Sequence, residues 1–237
     1  MYKNKKILAI IPARGGSKRI PLKNIKLLNK KPLIYYTIKT ALTCPSIDKI
    51  IVSTDSKKIA AIAKKYGAEV PFLRPKNISK DKTSDQPVIR HCLNFLKKKN
   101  EDYDYVLCLK PTAPLRTKED IVRAIKTIYN EKLPLVRSVT KMTGVHHPYW
   151  MYKAHNNLLK PLMRGVSIKK YYQSQLLPKN IFALNGVVEI FSKKHAFTAN
   201  FIYDAKKIGY IEIPQERAID IDEQIDFDFA SLLLKNK

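Results

Sequence analysis

Ile7-Leu8-Ala9-Ile10-Ile11-Pro12-Ala13-Arg14-Gly15-Gly16-Ser17-Lys18-Arg19-Ile20-Pro21-Leu22-Lys23-Asn24 runs from a short apolar segment directly into a loop with two glycines and four cations. The apolar run Ile7 to Ile11 reads as a strand. Beyond it, Gly15 and Gly16 let the main chain turn tightly and bring its N–H groups toward phosphate oxygens. Arg14, Lys18 and Lys23 add charge-assisted donors. The pattern is neither the G-x-x-x-x-G-K-[ST] phosphate loop nor the G-x-G-x-x-G dinucleotide loop. Its composition suits a nucleoside triphosphate at the mouth of an α/β sheet, the other reading being a basic surface loop after an edge strand.

Outward from this stretch, helical and strand periodicities alternate. A helix is expected from Pro32 to Leu42, a strand from Lys49 to Ser53 and a helix from Lys57 to Tyr66. A helix from about Gln86 to Lys98, a strand Tyr105 to Leu109 and a helix Lys118 to Tyr129 follow. Apolar runs return at Gly186 to Phe191 and Ile208 to Ile213, ahead of a last helix from about Glu223 to Leu234. This order predicts an α/β fold of the Rossmann-like type: a mostly parallel twisted sheet, helices on both faces, and ligands beyond the carboxyl ends of the strands. Between about His146 and Asn180 the periodicity fades into aromatic and basic residues, which reads as an arm or lid inserted at about 141–181 into a single domain. A chain of 237 residues has room for that and little more.

The formal net charge of +25 raises nucleic acid as a partner, because clustered cations release counterions from a polyanion. Short lysine runs are spread along the whole chain, however, and no helix-turn-helix, zinc finger or aromatic-basic RNA motif accompanies them. No nucleic-acid partner is therefore expected, and the positive field is as well suited to steering a small anionic substrate. Cys44, Cys92 and Cys108 lack metal-type spacing and sit in apolar or helical stretches, which reads as reduced thiols in a cytoplasmic protein. No signal-peptide pattern and no bilayer-spanning run is present, so no membrane partner is expected.

The glycine-cation loop closely resembles the signature of the CMP-sialic acid synthetases, the acylneuraminate cytidylyltransferases. The resemblance continues in order through Lys31-Pro32-Leu33-Ile34-Tyr35-Tyr36-Thr37-Ile38, Ile51-Val52-Ser53-Thr54-Asp55, Leu73-Arg74-Pro75, Pro111-Thr112-Ala113-Pro114-Leu115-Arg116-Thr117, Asn185-Gly186 and Ile219-Asp220-Ile221-Asp222. It implies a nucleotide-diphospho-sugar transferase-like fold whose arm makes a homodimer. It also implies a reaction in which the anomeric hydroxyl of an acidic nine-carbon sugar attacks the α-phosphate of CTP and pyrophosphate leaves. Carried over residue by residue, Arg14 and Lys23 grip the triphosphate, Asn24 contacts the nucleotide and Arg74 the cytosine. Ala13, Gly15, Gly16, Ser17 and Ser84 belong to the same nucleotide site, and Asn185 to the sugar side.

Asp220 and Asp222 stand two residues apart, on what reads as a short strand, so both carboxylates share a face and can hold Mg²⁺ beside phosphate oxygens. Asp222 is accordingly placed with Arg14 and Lys23 in the catalytic set. Asp55 reads as the cap of the following helix. The chain departs from the family pattern on the acceptor side: Lys110 replaces a glutamine, Asp85 a serine, and Val187-Val188-Glu189 the commoner Ala-Ile-Tyr. An arginine usual before Leu177-Pro178 is absent from Tyr172-Gln173-Ser174-Gln175-Leu176. Lys110 is therefore expected to meet the sugar carboxylate, and the acceptor to be a legionaminic- or pseudaminic-type acid as readily as N-acetylneuraminate. A Kdo-like acid or another NTP is the alternative within the same chemistry. His146-His147 is not read as a metal pair, since adjacent side chains diverge.

Overall fold

Strand β1 (Ile7–Pro12) is apolar on both faces and therefore needs cover on both. Ile7, Ala9 and Ile11 pack on one side with Ile38, Val52, Ile59, Ile121 and Ile128, while Leu8 and Ile10 pack on the other with Ile89, Cys92 and Leu96. The computed structural model describes residues 1–198 and 206–235. After β1 come a small hairpin, β2 (Leu27–Leu28) and β3 (Lys31–Pro32), then α1 (Leu33–Leu42), β4 (Lys49–Ser53) and α2 (Lys57–Lys65). Next are α3 (Asp85–Lys97), β5 (Tyr105–Cys108), α4 (Lys118–Asn130) and β6 (Leu135–Lys141). The chain continues with a hairpin of β7 (Tyr152–His155) and β8 (Leu158–Pro161), then β9 (Phe182–Ser192), the single turn α5 (Lys193–Ala196), β10 (Ile208–Glu212) and α6 (Gln224–Lys235).

The main sheet has the order β10-β6-β9-β5-β1-β4. β4 and β5 flank β1 in parallel, β10 runs parallel to β6, and β9 alone is antiparallel to both of its neighbours. The mostly parallel sheet with helices on both faces is thus the fold observed. β9 reverses because the chain leaves the sheet after β6, builds the β7–β8 hairpin, and returns along the strand it has just left. β6 was not anticipated from the sequence: it alternates apolar residues with Ser138 and Thr140, which are buried and polar.

The pairing of β6 with β9 slips between Arg137 and Val139, whose partners are Glu189 and Leu184. Gly186 lies in this bulge with φ 65°, a conformation that disfavours any side chain. Asn185 fastens it, its Nδ2 donating to Thr140 Oγ1 at 2.8 Å and its Oδ1 accepting from Val187 N–H at 3.1 Å and from the Ser138 hydroxyl. The residues around Asp220 and Asp222 form no strand; they lie in an irregular segment between a short 3₁₀ turn and α6. Their main chain is committed elsewhere, Ile221 N–H donating to Thr112 O at 2.8 Å. Among the described residues no helix is long and apolar enough to cross a membrane.

Candidate active site

The chain begins at β1, moves to the sheet edge at β4, then crosses back to β5 on the other side of β1. That reversal opens a crevice beyond the carboxyl ends of β1 and β5, the place where an open α/β sheet receives its ligands. A pocket of about 550 Å³ occupies it. One wall is the loop after β1, another the segment 80–88 leading into α3, a third Lys110 to Thr112 after β5, and the last Asp220 and Asp222.

The first loop is shaped by local bonds. Ser17 N–H donates to Gly15 O at 3.1 Å, closing a tight turn. Gly15 passes so close to α2 that an added Cβ would lie 3.1 Å from Ser56 Cβ, whereas one at Gly16 would meet nothing within 4 Å. Gly15 N–H is taken by Asp55 Oδ1 at 2.8 Å, so this amide is not turned toward an anion. Asp55 is thereby corrected from helix cap to loop anchor, and Ser56 is the residue that caps α2, its side chain accepting from Ile59 N–H. Ala13 extends the sheet by donating its N–H to Ser53 O at 2.9 Å and is fully buried. Asn24 Nδ2 holds the carbonyl of Arg14 at 2.9 Å while lining the pocket.

Arg14, Ser17, Lys18, Arg19, Lys23, Asn24 and Arg74 line the crevice. Ala13, Gly15, Gly16, Ser84 and Asn185 do not; Ser84 sits at the N-cap of α3 and Asn185 in the β9 bulge. Arg74 is buried, its Nε donating to Ser53 Oγ at 3.2 Å, and burial lowers its pKa. The cations of the loop are already met by carboxylates. Arg14 and Lys18 both pair with Asp81, and those bonds hold its carboxyl below the usual range. Arg19 and Lys23 stand 3.4 and 3.3 Å from Asp222. Lys23 Nζ also donates to Ile221 O at 2.6 Å. Ile221 is buried in a small core with Ile20, Leu28 and Phe227, which turns its neighbours Asp220 and Asp222 the other way, into the pocket. The shared face expected for this pair survives without the strand.

Nothing in the sequence singled out Asp81, and its only signal was an acid among lysines at Lys80-Asp81-Lys82. The wall after β5 carries a second group of charges. Lys110 Nζ pairs with Asp85 Oδ2 at 3.1 Å. Single ligand atoms of Asp85, Cys108 and Glu189 lie within 4.8 Å of one another. Glu189, almost fully buried on β9, is held by Arg137 of β6, whose Nε donates to it at 3.0 Å. Burial works against the Lys110 ammonium, but the carboxylates of Asp85 and Glu189 outweigh it and raise its pKa. Burial pushes the Cys108 thiol well up. Three departures read separately in the sequence, at positions 85, 110 and 189, are therefore one cluster. Arg116 supports it from behind, donating to Lys110 O at 2.8 Å, Thr37 Oγ1 at 3.1 Å and Val187 O at 2.5 Å. His147, buried in the arm, is bonded to Pro178 O and Tyr149 N–H.

Two carboxylates beside a cationic, glycine-turned loop at a sheet's switch point belong to the chemistry of a nucleotide-binding α/β transferase. The family model described as cytidylyltransferase matches residues 8–200. The CMP-N,N'-diacetyllegionaminic acid synthase of Legionella pneumophila (strain Philadelphia 1) is 37% identical over 236 residues, covering 97% of each chain. The pseudaminic acid cytidylyltransferase of Campylobacter jejuni (serotype O:2) is 35% identical over 233 residues, also covering 97% of each. The N-acylneuraminate cytidylyltransferase of Escherichia coli O18:K1:H7 is 33% identical over 98% of this chain, which spans 53% of that relative's length. In fold, the chain is similar to a CMP:2-keto-3-deoxy-manno-octonic acid synthetase complexed with CTP, with a TM-score of 0.71 at 15% identity, covering 98% and 99% of the two chains. The protein belongs to the cytidylyltransferase family.

Proposed function

We propose that the protein transfers CMP from CTP to the anomeric hydroxyl of a nonulosonic acid of the sialic, pseudaminic or legionaminic type. The observation that carries this reading is the arrangement of Arg14, Lys18, Arg19 and Lys23 against Asp220 and Asp222 across one pocket. The sugar oxygen forms a bond to the α-phosphorus and gives up its proton to water as the bond from that phosphorus to the bridging oxygen breaks, and pyrophosphate carries the charge away. Transfer of this kind depends on alignment and neutralisation more than on covalent help. Arg14 and Lys23, both lining the pocket, are assigned to the charge growing on the leaving group, and Asn24 and Arg74 to the nucleotide. Asn185 acts through the bulge it fastens, keeping β9 and the acceptor wall in place.

The donor set at Asp220 and Asp222 fits Mg²⁺, which takes one or two carboxylates together with phosphate oxygens and water. When bound there it supplies charge neutralisation at the phosphates. The β7–β8 hairpin is exposed on every residue, Leu158 and Leu159 included, and a lone two-stranded hairpin is marginal in water. It is read as the contact with a second copy of the chain in a homodimer.

Purified protein should release pyrophosphate with CTP, Mg²⁺ and N-acetylneuraminic, pseudaminic or N,N'-diacetyllegionaminic acid, with mass spectrometry showing the CMP-sugar. UTP, ATP and GTP, and an eight-carbon keto-deoxy acid, form the control arms. Equal use of all four nucleotides, or no product with any nine-carbon acid, would sink the reading.

A further inference from the structure

Lys110 is not a free cation waiting for an anion; it is half of an ion pair on the pocket wall. Its partner Asp85 is the first residue of α3, where the helix dipole favours a carboxylate. Both side chains keep access to the pocket, with 34% and 25% of their surface exposed. An ammonium has three N–H donors and a carboxylate several acceptor positions, so one mutual bond leaves capacity on each for a ligand. Asp85 Oδ2 is the atom paired with Lys110 Nζ, at 3.1 Å. Below them, the almost wholly buried Glu189 with its Arg137 partner adds a second carboxylate within 4.8 Å of the first. The wall therefore offers donors and acceptors side by side, Lys110 balancing Asp85 as Arg137 balances Glu189.

We propose that Asp85 and Lys110 read the acceptor as one two-sided element, Lys110 taking the sugar carboxylate and Asp85 a ring hydroxyl or acylamino N–H beside it. This rests on the acid-sugar reading above and adds to it a specificity-determining residue, Asp85, with a rule for the substrate: an acceptor must present a hydrogen-bond donor next to its anion. The pair also implies non-additivity. Losing Lys110 alone leaves Asp85 without its cation and facing an anionic sugar, while Glu189 keeps Arg137, so removing the Asp85 charge as well relieves part of the damage.

The test compares wild type, Asp85→Asn, Lys110→Gln and the double variant, with saturating CTP and Mg²⁺ and the acid that wild type uses best. Pyrophosphate release gives kcat/KM for the acid, KM for CTP is measured separately, and thermal melts check folding. Lys110→Gln is expected to lose about 100-fold in kcat/KM for the acid and Asp85→Asn about 10-fold, of the size of lost charge-assisted bonds. The double variant should lose less than Lys110→Gln alone, and KM for CTP should stay within about twofold throughout. Losses that multiply to about 1,000-fold in the double variant, or a KM for CTP rising with that for the acid, would overturn the proposal. Should either single variant fail to fold, wild type decides alone: the carboxamide of the acid, and an analogue lacking its donor groups, should each lose at least 10-fold, and an unimpaired analogue overturns the pair. Wild type inactive with every nine-carbon acid would bring down the underlying reading, an outcome distinct from an active wild type with multiplicative variants.

Discussion

Replacing Arg116 with lysine keeps a positive charge at a buried position and removes the planar fork. Arg116 is 4% exposed, and its guanidinium bonds Val187 O, Lys110 O and Thr37 Oγ1 at once. Burial lowers its pKa to about 10, so it is charged at neutral pH in spite of the cost. An ammonium on a flexible stem cannot reach all three acceptors in that geometry. With two acceptors left unpaired, one a fully buried carbonyl, and about 1–3 kcal/mol for each, the loss comes to about 2–6 kcal/mol. For a chain of this size each kcal/mol moves Tm by about 2–4 °C, so a fall of at least about 4 °C is expected. Calorimetric or circular-dichroism melts at pH 7.5 read it directly. Because Lys110 O loses its anchor, KM for the acid should also rise well before KM for CTP. A Tm within about 1 °C of wild type would show that the three bonds carry no weight, and with them the claim that Arg116 fixes the acceptor wall.

Arg14→Ala should lower kcat/KM by about 100-fold with little change in Tm, as when a positioned donor to a developing oxyanion is lost; wild-type kinetics would remove it from the phosphate site. Asp222→Asn should move the Mg²⁺ concentration for half-maximal turnover upward and lower the plateau, and an unchanged magnesium titration would take Asp222 out of the metal set. Asp120 tests the scaffold. It is buried beneath Arg217 and Arg123 and closes a capping box with Thr117. Burial alone would raise its pKa, but its bonds to Arg217, Thr117 and Arg123 win and lower it. Its contribution is therefore present above the unfolded carboxylate pKa and lost as pH falls through the lower folded value. Asp120→Ala should cost about 3 kcal/mol near pH 7 and progressively less as the pH falls below about 4, so an equal loss at pH 7 and pH 3 would contradict the pairing.

What the sequence made legible was whatever repeats locally. β1, α1, β4, α2 and α4 show their periods within a few residues, and the structure places them within two residues of the expected ends. β6 escaped because its buried Ser138 and Thr140 look like surface residues. Only the fold supplies their partners, Asn185, Val188 N–H and Ile213 O. The Asp220–Asp222 face was readable from spacing alone, but the strand was not there, since Thr112 and Lys23 take the main-chain bonds a ladder would need. Of the cationic loop, composition gave the charges and their direction. That Gly15 N–H answers to Asp55, and that Arg14 answers to Asp81, depends on pairs 40 and 67 residues apart. The cluster of positions 85, 110 and 189 lies further still beyond any local pattern.

The pairing of the loop cations with Asp81 and Asp222 makes the crevice an ion exchanger. Four cations share two tethered carboxylates, so an incoming anion does not fall into bare positive charge; it trades places with groups already there. Each exposed pair is worth little, about 0–1 kcal/mol, and a single phosphate or chloride gains almost nothing by the trade. A ligand carrying several linked charges gains at every exchange after the first, because the later ones occur within one molecule. On a chain of net charge +25, such an exchange would favour a ligand with several linked charges over the small anions drawn in by the overall field.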